Sequence, residues 1–293
     1  MNNGVPNEAT RCFRRLFDGF SARVRAVNPG LDIAFQHVQP RNLSELPDRK
    51  ADLVLSSGGP GSPFEGYGDP WCTGYRNFLD HVVEARLQHP APGPAVFVVC
   101  HSFEITVTHF AVASMVPREE LKFAIFPAYI TPEGQRTDFL SPFRDRLFTW
   151  EHRRWQAVGL ETRQLAALGG AVLSTESRPG RRDKGRSLLG FRFAPGVEGT
   201  QFHPEADRGG VMAWINRPEH AASLKDVYGN SLYERMMKTL KDPTRLARTF
   251  ALLIPSWLTA RFNELAPHRG WTPLLPPVQD MKDFEEQVPA AAF

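Results

Sequence analysis

The chain reads as an α/β protein: an open, mostly parallel sheet with helices on both faces, followed by a helical extension at the C-terminal end. Three observations predict this. Short, wholly apolar runs such as "PAVFVVC" (Pro94–Cys100) have the length and composition of strands buried on both faces. They alternate with longer segments of helical spacing, which is the βαβα order of a parallel sheet. Beyond Arg217 the strand-like runs cease and the pattern is helical.

In chain order, Glu8–Val27 places Cys12, Phe13, Leu16, Phe17, Phe20 and Val24 on one helical face, and "NPG" at Asn28–Gly30 ends it. "LDIAFQHV" (Leu31–Val38) is expected to be a strand. "ADLVLSSGGPGSP" (Ala51–Pro63) is a buried strand running into a glycine–proline turn. Trp71–Gln88 is a helix, Pro94–Cys100 a strand, and Phe103–Val116 a helix. "LKFAIFPAYI" and "LFTWEHRRWQAV" supply strand-like runs. "ETRQLAALGGAVLSTES" gives a helix, a stop at Gly169–Gly170 and a strand. "VEGTQFHPEAD" (Val197–Asp207) is a strand entering a loop. Tyr228–Leu265 is helical, broken at Pro243 and Pro255, and the proline-rich tail from Pro267 is extended. The chain opens on a helix, so the customary first strand is either very short or missing. The domain reading is 1–216 for the α/β unit and 217–293 for the extension and tail.

Bulk properties narrow the function. The chain has 293 residues, 42% hydrophobic and 23% charged, as in an ordinary globular protein. A net charge of +3 over this length argues against nucleic acid as a partner, and the basic run "RPGRRDKGR" (Arg178–Arg186) reads as a solvated loop. Three cysteines without a CxxC pair argue against disulfides and structural zinc and fit a reducing, cytoplasmic setting. No secretory signal is evident, and "FALLIPSWL" (Phe250–Leu258) is too short to span a bilayer. Neither a metal nor a cofactor is expected.

Three stretches carry the chemistry: "SSGGPGSP" (Ser56–Pro63), "VVCHSFE" (Val98–Glu104) and "GTQFHPE" (Gly199–Glu205). Each follows a strand, and ligands of parallel sheets bind at the C-terminal strand ends. Acyl transfer requires a nucleophile, a base beside it and a group that orients the base. Cys100 is the candidate nucleophile, at a helix N-terminus that favours a thiolate. His203 is the candidate base. Glu205, two residues on and across the stiff Pro204, leaves an extended backbone on the same side as His203. Backbone N–H groups near Gly59 and His101 are placed to receive an oxyanion.

With these three segments in this order, residues 3–207 resemble the class I glutamine amidotransferase family. "GTQFHPE" is the most specific part and "GGPGSP" the next. The resemblance implies a flavodoxin-like domain and a Cys100–His203–Glu205 triad. It further implies oxyanion or substrate contacts from Gly59, Gly61, His101 and Glu104, and a glutamine-holding loop around His152 and Arg153. It implies a γ-glutamyl thioester, release of ammonia from glutamine or another γ-glutamyl compound, and a separate synthetase that uses the ammonia. The elbow departs from the family's G-x-C-x-G-x-Q: Val98, Ser102 and Glu104 replace two glycines and an amide. Glu104 would repel a substrate carboxylate unless Arg153, Arg154 or another cation neutralises it. His101 reads as either a second base or, by preference, a residue facing solvent. Two other readings stand beside this one: a free-standing γ-glutamyl hydrolase or peptidase, and an inactive binding protein. In either case Tyr228–Leu265 either docks a partner or packs on its own domain. A cysteine peptidase on a related scaffold fits less well, because of "QFHPE".

Overall fold

The computed structural model describes residues 8–88, 92–178, 187–280 and 282. Most of the basic run, residues 179–186, lies outside them. Helix α1 (Glu8–Val27) buries Cys12, Phe13, Leu16, Phe20 and Val24, the face read from its spacing. A short helix, α2 (Pro40–Leu43), precedes strand β1 (Leu53–Ser56), and helix α3 (Pro70–Gln88) leads to β2 (Ala95–Val99). All five residues of β2 are fully buried, because β2 lies between two parallel neighbours and under helices.

Leu31–Val38 is not a strand. The segment has no ladder and its side chains, Phe35 among them, are largely exposed. The helix read to Val116 stops early: α4 (His101–Phe110) ends where Ala111 turns left-handed (φ 51°), and its N–H bonds Val107 O. The chain then enters the long strand β3 (Ser114–Ile130), and after a short helix α5 (Pro132–Gln135) it returns as β4 (Arg146–Val158). Helix α6 (Thr162–Ala167), strands β5 (Ala171–Thr175), β6 (Leu188–Ala194) and β7 (Val197–Thr200), and helix α7 (Arg208–Ile215) follow.

The sheet is not the open, mostly parallel flavodoxin-like sheet expected. Its order is β1-β2-β7-β6-β4-β3-β5, and only β1, β2 and β7 are mutually parallel. The remaining pairings are antiparallel, and β5 returns to pair with β6, closing β6-β4-β3-β5 into a four-stranded ring. The cause is in the connections. A parallel pair needs a long crossover, whereas two residues suffice for a hairpin. Pro195–Gly196, with Gly196 at φ 80°, is such a turn, and it sets β6 antiparallel to β7. β6 itself, "LLGFRFA", was not read as a strand, so the ring had no visible closing member.

The two C-terminal helices, α8 (Pro218–Lys241) and α9 (Leu246–Arg269), are separated near Pro243 as expected. Pro255 does not break α9, and Gly229 (φ 75°) departs from helical geometry within α8. Both helices pack on the sheet. Leu253, Ile254 and Trp257 of α9 are fully buried in the cluster that holds α1 and β2. Trp257 meets Phe97 edge to face at 5.5 Å, and its Nε1–H donates to Glu198 Oε2 at 2.7 Å. Tyr228 of α8 stitches the irregular part of β3, accepting from Phe123 N and donating to Leu121 O, both at 3.1 Å. We expect Trp257→Ala to lower stability by about 3–5 kcal/mol, since it opens a cavity and removes a hydrogen bond from the buried Glu198. A chain ending at residue 217 should lose cooperative unfolding in calorimetry; a sharp transition at the full-length Tm would show that α9 is dispensable to the core.

Candidate active site

Cys100 lies between β2 and α4 with φ 53° and ψ −109°, a conformation rare for a residue with a Cβ. Its N–H donates to Thr200 O of β7 at 3.0 Å. Ser102, where a glycine is customary, braces this turn: its Oγ accepts from Val99 N at 2.8 Å and lies 2.9 Å from Ser56 O. Ser56 in turn accepts from the buried Tyr75 hydroxyl at 2.8 Å, and burial pushes the Tyr75 pKa up to about 12, so the phenol keeps its proton. Val98 is accommodated from the other side. Its backbone and side chain occupy the space where a Cβ on Gly199 would sit.

His203 follows β7. Its N–H donates to Trp150 O of β4 at 2.9 Å. Its Nδ1 is 2.7 Å from Glu205 Oε1. The ring also approaches Cys100. Gly58 marks the point of approach, for a Cβ there would lie 2.9 Å from Cys100 Cβ and 3.1 Å from His203 Cε1. Burial works against a charged His203, but Glu205, then Cys100, outweigh it and hold the imidazolium well above its ordinary pKa. Glu205 is 1% exposed, and its Oε2 has no hydrogen-bond partner.

The loop bearing Glu205 is anchored by α1. Asp207 accepts from Arg11 through both oxygens, at 2.8 and 2.9 Å, and caps α7 through Gly210 N at 2.7 Å. Burial pushes the neighbouring Cys12 thiol up to about 12, helped by the charge of Asp207. Sequence reasoning passed over Gly58, Gln201 and Asp207, although all lie inside the quoted motifs; Arg11 carried no signal.

Of the other expected residues, Gly59 follows Gly58 in the same loop. Gly61 (φ 129°) lies instead against the Arg41–Glu65 ion pair. His101 does not face solvent: it is 1% exposed, and neither ring nitrogen has a hydrogen-bond partner. Glu104 is buried and accepts from Gln201 Nε2 at 3.2 Å. Arg153 is not its partner; it pairs with Glu151 at 2.7 Å and Glu176 at 3.2 Å. His152 is exposed on one side and crowded by Phe123 and Trp214 on the other. That crowding, and then the charges of His203, Arg154 and His220, push its pKa down to about 4. Among the described residues no group of three or more His, Cys, Asp or Glu is placed to hold a metal, and no helix is long and apolar enough to cross a membrane.

No protein-family profile and no curated protein matches the chain. Solved structures do. A glutamine amidotransferase from Methylobacillus flagellatus is 16% identical, with 88% of this chain and 90% of that one covered and a TM-score of 0.51. The protein SMU.1228c is 15% identical, over 84% of this chain and 93% of that one, at a TM-score of 0.54. A glutamine amidotransferase from Thermotoga maritima is 16% identical, over 70% and 79%, at 0.49. The match to the Methylobacillus protein shows the fold alone, which is of the glutamine amidotransferase type.

Two outcomes follow from the geometry. Gly58→Ala should wedge Cys100 from His203 and slow Cys100 alkylation by iodoacetamide on the order of tenfold or more, with mass spectrometry reporting the site. Glu205→Gln removes the main support of the imidazolium, so the His203 Cε1–H resonance should titrate at lower pH than in the wild type. A raised histidine pKa stabilises the fold fully below the unfolded value, near 6.5, and ceases to do so as pH climbs through the folded one. The stability gap between wild type and Glu205→Gln should therefore be widest on the acid side of neutrality and narrow as pH rises.

Proposed function

We propose that the chain is an amide hydrolase of the glutamine amidotransferase kind, with Cys100 as nucleophile, His203 as general base and acid, and Glu205 orienting the imidazole. One observation carries this reading: a cysteine in strained backbone at a strand–helix junction comes together, beside Gly58, with a histidine whose Nδ1 is held by a buried carboxylate. The thiolate adds to a carboxamide carbonyl, and the N–H groups of Gly59 and His101 receive the oxyanion. The C–N bond breaks as His203 passes its proton to the departing nitrogen, and ammonia leaves a thioester. Water, deprotonated by His203, cleaves the thioester to the acid and the free thiol. Glutamine is the reference donor, and the ammonia would serve a synthetase.

A second reading, a γ-glutamyl hydrolase that supplies no synthetase, draws support from Glu104, whose buried carboxylate has no neutralising arginine or lysine among the described residues. Both readings require the same covalent step. Wild-type protein should release ammonia from a primary carboxamide and accumulate a thioester on Cys100 under acid quench. Cys100→Ala should abolish both, and His203→Ala should reduce turnover by about 10²–10⁴-fold. Equal labelling rates at Cys72 and Cys100, with no ammonia released, would leave a binding protein.

A further inference from the structure

We infer that His101, Glu104 and Gln201 choose the substrate by charge, selecting a carboxamide that carries an ammonium group and no free carboxylate. This rests on the proposed covalent chemistry and names its substrate class.

Glu104 lies one helical turn beyond the nucleophile, with its N–H donating to Cys100 O at 2.9 Å. Its side chain is sealed from water. One oxygen accepts from Gln201 Nε2 at 3.2 Å, and the same Nε2 reaches Trp155 O at 3.0 Å. The other oxygen stands 3.8 Å from His101 Nδ1, too far for a hydrogen bond. His101 is 1% exposed and Gln201 fully buried, yet neither His101 nitrogen has a partner, nor does Gln201 Oε1. Unpaired polar atoms buried together, beside a nucleophile, are the features of a recognition surface, since a fold alone gains nothing by desolvating them.

The sign of that surface is set by what surrounds it. Arg153, which shares the Trp155 carbonyl with Gln201, is committed to Glu151 and Glu176. Among the described residues no arginine or lysine pairs with Glu104. A substrate carboxylate would meet a like charge at low dielectric, where repulsion is strong. An ammonium held beside Cys100 would be drawn by the same charge. Free glutamine carries both groups; glutamine whose α-carboxylate is masked as an amide or peptide bond carries only the favoured one.

The test compares L-glutamine with L-glutamine α-N-methylamide, which share the γ-carboxamide and its ammonia product. Wild-type kcat/KM should favour the N-methylamide on the order of tenfold or more. Glu104→Gln should erase most of that ratio by gaining activity on glutamine. A wild-type preference for glutamine, or an unchanged ratio in Glu104→Gln, overturns the inference. The wild-type ratio decides alone if the variant does not fold. Iodoacetamide labelling separates the two levels. Fast Cys100 labelling with glutamine preferred removes only this substrate class, whereas slow labelling with neither amide cleaved removes the covalent chemistry and this inference together.

Discussion

The site depends on a backbone held where it would not rest by itself. Cys100 at φ 53° carries strain of about 1–3 kcal/mol. A strained residue persists only when its surroundings over-determine it. Here β2 is buried on every side, its end is tied to β7 through Cys100 N–H and Thr200 O, and the next turn is pinned by Ser102. A glycine would relieve strain at the elbow. This chain instead surrounds its bulkier elbow residues with hydrogen bonds, Tyr75 to Ser56 and Ser102 to Ser56, and leaves the missing volume to Gly58 and Gly199 across the interface.

Charge is partitioned in the same spirit. Glu205, His203 and Cys100 form one set at the strand ends. Lys122, Glu151, Arg153 and Glu176 form another inside the four-stranded ring. Burial alone would raise the Glu151 and Glu176 pKa values, but Arg153 and Lys122 outweigh it, holding Glu151 below the usual range and Glu176 near about 2. A buried network of this kind adds little net stability but is costly to break at one member. Its arginine is thereby unavailable to Glu104, so the ring's internal pairing fixes the electrostatic character of the neighbouring cluster.

Much of this was legible from residues alone. Apolar runs gave β1 and β2, helical spacing gave α1 and α3, and the motif order brought Cys100, His203 and Glu205 to one rim. What failed to show has physical causes. Antiparallel closure depends on pairing between distant strands, which a local pattern does not encode, and its one local sign, Pro195–Gly196, followed a strand that was not recognised. Leu31–Val38 alternates well enough for a strand but finds no neighbour to pair with. His101 looks like a surface residue in sequence because nothing local reveals that the folded chain buries it.

The N-terminal helix bears on the chemistry as well as on the core. Its apolar face packs with α9, Phe20 against Phe262 at 6.0 Å, while Arg11 on its edge grips Asp207. Asp207 is two residues from Glu205 and starts α7, so the acid of the site is fixed between a hydrophobic contact on one side and a bidentate ion pair on the other. Arg15 approaches the same carboxylate at 3.5 Å. Burial would raise the Asp207 pKa, but Arg11 and the Gly210 N–H outweigh it and keep the anion. Glu205 then need not be rigid by its own contacts, and its second oxygen is left without a partner. The orientation of the imidazole, and with it the reach of the thiol, is set from a helix at the opposite end of the sequence.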